Sequence, residues 1–250
     1  YTTEDTLSLH DALPISTFFA TRSVKVLAGN LCWTPAVNMA RAAKKVADDK
    51  GVELILCDAH GNMAADLETI RRLPYNGVRG ALIMSLHCRE FHSALSHLVA
   101  ANFPFVVVDQ HLHEIDAPSV CSDNVGGGAL AASAVLEAGH RRIAFIGDLG
   151  ATTTADRLRG VQGALARDGV TLAAAIDLQV LDQFGDWEPR VKETVRELMA
   201  SPAAPTAVLC SCDSVARAAY RTLLGLGLEI PRDVSVVGFD DDPLAQWLDP

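Results

Sequence analysis

Residues 142–168, RIAFIGDLGATTTADRLRGVQGALARD, contain the alternation that decides the fold class. The first seven, RIAFIGD, are almost continuously apolar and end in Gly-Asp, which is typical of a strand covered on both faces. Residues 155–168 follow with apolar side chains at helical spacing, and this spacing predicts a helix. Strands that alternate with helices of this length indicate βαβ units, so we expect parallel sheets.

The same alternation runs through the rest of the chain from residue 24. Further strands are predicted at 24–29, 52–59, 80–85, 105–110, 119–123, 178–181, 207–211 and 234–240. Further helices are predicted at 35–50, 64–73, 91–101, 128–138, 188–200 and 213–226. Two successive runs predict an α/β fold with two Rossmann-like, doubly wound parallel-sheet lobes, residues 24–140 and 141–250. Ligands of such sheets lie beyond the carboxyl ends of the strands, which predicts a ligand cleft at a hinge between the lobes.

Composition excludes two classes of partner. The chain has 250 residues and a formal net charge of −10, and it contains no long cluster of Lys and Arg. A free-standing nucleic-acid-binding protein usually carries a basic face, so we do not expect this chain to bind DNA by itself. No stretch approaches the roughly 18 consecutive apolar residues of a membrane span, so we expect no membrane partner.

Cysteines and histidines do not indicate a metal or a cofactor. The six cysteines are scattered through apolar sequence, which is typical of buried thiols in a reducing cytoplasm. The close pair Cys210 and Cys212 leaves a redox or metal pair open as an alternative. The histidines form neither an HExxH motif nor a catalytic triad, and His140 is interpreted as structural.

The first residues do not fit the globular pattern. Residues 1–15, YTTEDTLSLHDALPI, lack the basic start and apolar run of a secretory signal peptide. Their second part, TLSLHDALPI, resembles an in-frame translation of a common sequencing adapter. We therefore expect residues 1–23 to be an artefactual or disordered leader, and a genuine disordered leader is the alternative.

Three segments carry a family resemblance. Residues 122–128, SDNVGGG, and 137–147, EAGHRRIAFIG, look like a DN-x-x-G-G motif followed by L-x-x-x-GHRRIAFIG. Residues 157–165 contain RLRG and Ala-Leu, similar to R-L-x-G-F-x-x-A-L. Residues 225–241, GLGLEIPRDVSVVGFDD, look like G-L-x-I-P-x-D-V-S-V-V-G-F-D-D. From about residue 24 onward the chain resembles the effector-binding core of the LacI/GalR family of transcriptional regulators.

The resemblance implies a fold and a function. The fold would be the periplasmic-binding-protein-like type I fold, and the function would be a ligand-sensing core that alters affinity for operator DNA. Relatives bind DNA through an N-terminal helix-turn-helix headpiece, act as homodimers, and continue past the last strand with a segment that returns to the first lobe. Headpiece and return segment are missing here, so the core is expected to be truncated at both ends.

The resemblance also assigns effector-binding residues. The first Arg of R-L-x-G reaches the effector in the family, which gives that role to Arg157, whose guanidinium suits hydroxyls or a carboxylate. Asp240 follows the last strand and corresponds to a carboxylate that accepts sugar hydroxyls. The alternatives are a surface arginine at a helix start and a local turn residue.

Three further residues are assigned by position. Trp187 corresponds to an aromatic ring that stacks on a sugar, and a core tryptophan at a helix start is its alternative. Trp33 follows the first strand and is predicted to line the cleft, with a packing role as the alternative. Thr153 corresponds to a small hydroxyl group in relatives.

One departure bears on the ligand. Many relatives have Asn-Asp where this chain has Cys212-Asp213, and Asp213 is expected to cap the following helix. A thiol is only a weak donor and acceptor, so the effector is expected to carry fewer hydroxyls than a common hexose, or to be bound differently.

The sequence leaves two other functions open. A periplasmic sugar-binding protein of a transport system shares the fold, but it would need a signal peptide and would normally avoid six free cysteines. An enzyme would need a nucleophile, a base and an orienting group, and no such set is recognisable. The predicted function is therefore a cytoplasmic, non-enzymatic regulator core that binds a sugar or a similar small molecule.

Overall fold

The computed structural model describes residues 23–28, 34–58, 62–84, 91–112, 114–179, 187–243 and 245. The predicted leader up to residue 22, Trp33 and residues 246–250 lie outside the described residues. The chain forms two compact units, Tyr1–Ser122 and Asp123–Pro250. None of the described helices is long and apolar enough to cross a membrane.

The first unit is a five-stranded sheet with helices on both faces. Its strands are β1 (Ser23–Ala28), β2 (Glu53–Asp58), β3 (Ala81–Met84), β4 (Phe105–Val108) and β5 (Ser119–Val120). Its helices are α1 (Thr34–Asp49), α2 (Met63–Arg72) and α3 (His92–Ala100), and a 3-10 turn spans Leu73–Tyr75. The strand order is β2-β1-β3-β4-β5 with every neighbouring pair parallel. Val26 packs with the alanines of α1, while Leu27 packs on the other face with α2 and α3.

The second unit repeats this arrangement with four strands. Its strands are β6 (Ile143–Gly147), β7 (Ala174–Asp177), β8 (Ala207–Cys210) and β9 (Ser235–Val237). Its helices are α4 (Asn124–Glu137), α5 (Thr152–Arg167), α6 (Trp187–Ala200) and α7 (Asp213–Gly225). The order is β7-β6-β8-β9, again all parallel. Phe145 packs with α4 and α5, and Ile146 packs with α6 and α7, so both faces of β6 are buried as predicted.

Helix α4 belongs to the second unit because it lies directly against α5. A Cβ on Gly128 would lie 2.0 Å from the carbonyl oxygen of Arg157, and one on Gly160 would lie 2.0 Å from that of Val125. Only glycine at both positions allows this approach of the two helices. The division after Ser122 therefore differs from the sequence-based boundary at residue 140 by one helix.

Two predicted elements are wrong in position. The strand predicted at 178–181 is instead β7, which ends at Asp177, and Leu178 lies buried just after it. The helix predicted to begin at residue 128 begins at Asn124, because the Asp123 carboxylate accepts a hydrogen bond from the Gly126 N–H at 2.8 Å and caps it.

Candidate functional site

The carboxyl edge of the second sheet brings three segments together. In the order β7-β6-β8-β9, the segments that follow β6 and β8 leave from adjacent strands, which is the position where open α/β sheets bind ligands. A Cβ on Gly147, at the end of β6, would lie 2.6 Å from Ser211 Cβ and 2.7 Å from Thr154 Cγ2. The glycine therefore permits the end of β8 and the start of α5 to meet beside β6.

Arg157 lies at the centre of this edge. The residue is only 6% exposed, and its Nε donates to Asn124 Oδ1 at 2.9 Å. Its terminal nitrogens donate to the Ser211 carbonyl oxygen and to Asp240 Oδ1, the latter at 3.4 Å. The guanidinium carbon lies 3.6 Å from the centroid of the Phe239 ring. We call these five residues the Arg157 cluster.

These contacts leave binding capacity on the guanidinium. Three of its five N–H groups point at partners in the cluster, and one N–H on each terminal nitrogen can still donate. Because the ring below and the partners in the plane fix the group, it is held ready for a ligand. The alternative of a surface arginine is wrong, and Arg157 lies in the second turn of α5, not at its start.

Asp240 combines a turn with an ion pair. Its backbone has φ 104 and that of Asp241 has φ 53, a region that non-glycine residues seldom occupy. Its side chain is 12% exposed and faces Arg157. Strained backbone of this kind clusters at functional sites. Asp240 is thus both a turn residue and a carboxylate that faces Arg157.

The other predicted site residues occupy different positions. Thr153 is buried in the first turn of α5, and because Arg157 is four residues later the two share a helix face. Trp187 begins α6 and packs against the apolar cluster that contains Val191 and Val195, which is the core role that the sequence left open. Trp33 lies outside the described residues. Effector contacts of Thr153, Trp187 and Trp33 stay predictions.

Cys212 and Asp213 connect β8 to α7. Cys212 is the N-cap residue of α7 and is partly buried, and burial raises the pKa of its thiol. The prediction that Asp213 caps the helix is wrong, because its Oδ2 accepts from the Asp242 N–H at 2.7 Å. Burial also raises the pKa of the Cys210 thiol, so both thiols stay protonated at neutral pH, which argues against a redox pair. Within the described ranges, no group of three potential metal ligands is found.

At the amino edge of the same sheet, a histidine ring connects two strands. His140 Nδ1 lies 2.9 Å from Thr206 Oγ1, and its Nε2 lies 2.9 Å from Ser235 Oγ. This ring therefore joins the starts of β8 and β9, and its structural interpretation is confirmed.

The first unit has one unusual carboxyl group. Asp66 in α2 is only 4% exposed, and burial, followed by the charge of Asp58, raises its pKa to about 6. Asp58 ends β2, so this pair lies at the carboxyl edge of the first sheet.

Sequence reasoning did not assign Asn124, Phe239 or Ser211 to the site. Asn124 and Phe239 lie inside the recognised motifs, each beside a residue that was singled out. They lie at least 33 residues from Arg157 in the sequence, so their contacts with it come from tertiary packing.

The sequence of this chain is similar to those of known proteins. Residues 132–250 match the family of periplasmic binding protein-like domains. The ribose operon repressor of Haemophilus influenzae is 31% identical over 198 residues, which cover 79% of this chain and 58% of the relative. The repressor PurR of Yersinia enterocolitica is 31% identical over 235 residues, 92% of this chain and 67% of the relative. The chain thus spans about six tenths of the length of the ribose operon repressor, and these relatives are transcriptional repressors, not enzymes.

Solved structures show the same fold. A LacI-family regulator from Enterococcus faecium with bound ribose aligns with a TM-score of 0.73 at 24% identity, over 91% of this chain and 81% of that one. A sugar-binding LacI-family regulator from Escherichia coli, complexed with phosphate, aligns with a TM-score of 0.71 at 25% identity over the same shares. Both alignments place the chain in the periplasmic-binding-protein-like type I fold.

Proposed function

Because this chain belongs to the LacI family of transcriptional regulators, we propose that it is the effector-sensing core of a repressor. The single observation that carries the proposal is the Arg157–Asp240 pair at the carboxyl edge of the second sheet. A buried ion pair at a position where α/β sheets bind ligands, with donors still unused, fits a small polar molecule.

The chemistry of the pair favours a sugar. A hydroxyl group accepts from a guanidinium N–H and donates to a carboxylate oxygen, so neighbouring hydroxyls suit Arg157 and Asp240 together. Cys212, a weak donor and acceptor beside this pair, favours a sugar with fewer hydroxyls than a hexose. A pentose such as ribose fits both conditions, and ribose operon repressors are among the relatives of this chain.

The remaining partners follow from the family. We propose that Trp33, Thr153 and Trp187 complete the effector site. Effector binding would change the hinge angle and, in a homodimer in the cytoplasm, shift operator affinity by about 1–3 kcal/mol. DNA would be contacted through a headpiece, not through the acidic core described here. The repressor relatives favour this function over a transport protein.

A ligand titration tests the proposal. D-ribose, D-glucose and a purine base are titrated into the chain by calorimetry, and D-ribose is expected to bind most tightly. Asp240→Asn removes a charged acceptor, which typically contributes about 1.5–3 kcal/mol, so the Kd should rise roughly 10- to 100-fold. The matched control Asp241→Asn changes an exposed neighbour in the same turn and should leave the Kd within about threefold. Equal effects of the two variants, or binding of the purine base alone, would contradict the proposal.

A further inference from the structure

Both ends of the turn that presents Asp240 are attached to one residue. The ladder between β8 and β9 ends at the pair Leu209 and Val237. Beyond it, the Asp213 N–H donates to the Phe239 carbonyl oxygen at 2.8 Å. The Asp213 carboxylate accepts from the Asp242 N–H at 2.7 Å. We call residues 239–242 the Asp240 turn. Asp213 forms one hydrogen bond with each end of this turn, beyond the last paired residues of β8 and β9.

The Asp240 turn needs such support. Two consecutive non-glycine residues, Asp240 and Asp241, have positive φ values of 104 and 53, and conformations of this kind persist only when surrounding contacts hold them. A relaxed turn would move the carboxylate of Asp240 away from the guanidinium of Arg157, 3.4 Å distant.

The neighbourhood of Asp213 is built around its carboxylate. A Cβ on Gly238 would lie 2.0 Å from Asp213 Oδ1, so glycine at this position admits the carboxyl group against the backbone. Burial is the largest influence on Asp213 and raises its pKa, whereas the N–H groups of Asp242 and Phe239 lower it. Burial therefore disfavours the charged form of Asp213. A residue that only follows a helix N-cap would not need a buried carboxylate.

We propose that Asp213 is a positioning residue for effector binding: by clamping the Asp240 turn, it holds the Asp240 carboxylate opposite Arg157. This inference rests on the proposed function, because it takes Asp240 as a ligand contact. Asp213 itself acts through Asp240 and is not proposed to touch the effector.

Two substitutions separate the hydrogen bond from the charge. Asp213→Ala removes the acceptor, so the Asp242 amide should exchange with deuterium at least 10-fold faster and the Kd for D-ribose should rise at least 10-fold. Asp213→Asn keeps an oxygen acceptor in the same place, and it should restore both values to within about threefold. If the alanine variant does not fold, Asp213→Ser replaces it, because serine is well tolerated at a helix start and its shorter side chain falls short of Asp242.

A matched control and a double-mutant cycle exclude a general structural effect. Asp233 accepts from the Glu229 N–H at 2.8 Å, close to the 2.7 Å between Asp213 and the Asp242 N–H, but it lies at the amino edge. Asp233→Ala should therefore speed exchange at Glu229 and leave the Kd unchanged. In the Asp240→Asn background, Asp213→Ala should change the Kd less than threefold, because its effect passes through Asp240.

The outcomes distinguish the two proposals. Additive losses in the double variant, or faster exchange at Asp242 with an unchanged Kd, would overturn the positioning role. If the unsubstituted chain does not bind D-ribose, the sugar-sensing proposal fails by itself. The exchange rate of Asp242 in Asp213→Ala then still decides whether Asp213 holds the turn, and an unchanged rate overturns the clamp.

Discussion

At the amino edge of the second sheet, His140 joins Thr206 and Ser235 through hydrogen bonds of both ring nitrogens. At the carboxyl edge, at the other end of these short strands, Arg157 and Asp240 bring opposite charges together beside a turn with positive φ. Both edges are polar and both connect the same strands. The carboxyl edge differs in that it combines a buried ion pair, unused guanidinium donors and backbone with positive φ.

We interpret this difference as one between an edge that stabilises the sheet and the edge proposed to bind the effector. Both ring nitrogens of His140 form hydrogen bonds within the second unit, so this ring stabilises the sheet. The guanidinium of Arg157 keeps two N–H groups for an external acceptor. We therefore expect substitutions at the amino edge to affect stability alone, and substitutions at the carboxyl edge to affect ligand affinity as well.

The largest effect is expected for Arg157→Ala. The substitution removes the guanidinium partner of the Asp240 carboxylate and of the Asn124 amide oxygen, and breaking a buried pair in this way costs about 3–5 kcal/mol. Urea unfolding should show this loss, and calorimetry should show no binding of D-ribose. Arg159→Ala, two residues along the same helix, removes a side chain that is 63% exposed and should change stability by less than about 0.5 kcal/mol.

The next effect concerns the approach of α4 to α5. Gly128→Ala places a methyl group against the carbonyl of Arg157, and overpacking against backbone should cost roughly 2–3 kcal/mol and displace Asn124 from Arg157. Gly163→Ala, in the same helix α5, meets nothing within 4 Å and should instead stabilise by about 0.5–1 kcal/mol. Thermal unfolding of the two variants measures the contrast, and equal signs would refute the packing argument.

A smaller effect is expected at the amino edge. His140→Ala removes the hydrogen bonds of the ring with Thr206 and Ser235, which should lower the free energy of unfolding by about 1–2 kcal/mol. The Kd for D-ribose of the folded variant should stay the same. A tenfold weaker Kd would remove the distinction between the edges.

The smallest effect is a difference in pH dependence between two aspartates. Burial raises the pKa of Asp213 in the folded chain. The resulting contribution to the free energy of unfolding is therefore present below the pKa that Asp213 has in the unfolded chain, and it is lost as pH rises through the pKa in the folded chain. The Glu229 N–H, with Arg232, lowers the pKa of Asp233, so its contribution is present at higher pH and is lost as pH falls. Relative to the unsubstituted chain, the stability of Asp213→Asn should rise with pH while that of Asp233→Asn falls, as measured by unfolding between about pH 3 and 7.

The sequence predicted the fold because burial patterns are local. Short continuous apolar runs such as 143–147 are typical of strands covered on both sides, and their alternation with helices implies parallel order. Strand β7 was misplaced because its residues 174 and 175 are alanines, which are poor strand formers, and pairing with β6 overrides that propensity. The start of α4 was missed because glycines at 126–128 disfavour a helix in isolation but permit its close packing here.

The site was predicted in part for a related reason. Arg157 and Asp240 stand in recognisable motifs, and the structure brings them together across 83 residues. The support of Asn124, Phe239 and Asp213 depends on which helices approach each other, and no local pattern encodes that. The roles of partner residues therefore came from packing, not from sequence.

Hydrogen–deuterium exchange with and without D-ribose tests the central claim most directly, because it compares both edges in one measurement. We predict slower exchange on ligand addition at residues 211–213 and 239–242, with unchanged exchange at residues 206 and 235. Protection confined to the amino edge, or no protection at either edge, would contradict the assignment of the carboxyl edge as the effector site.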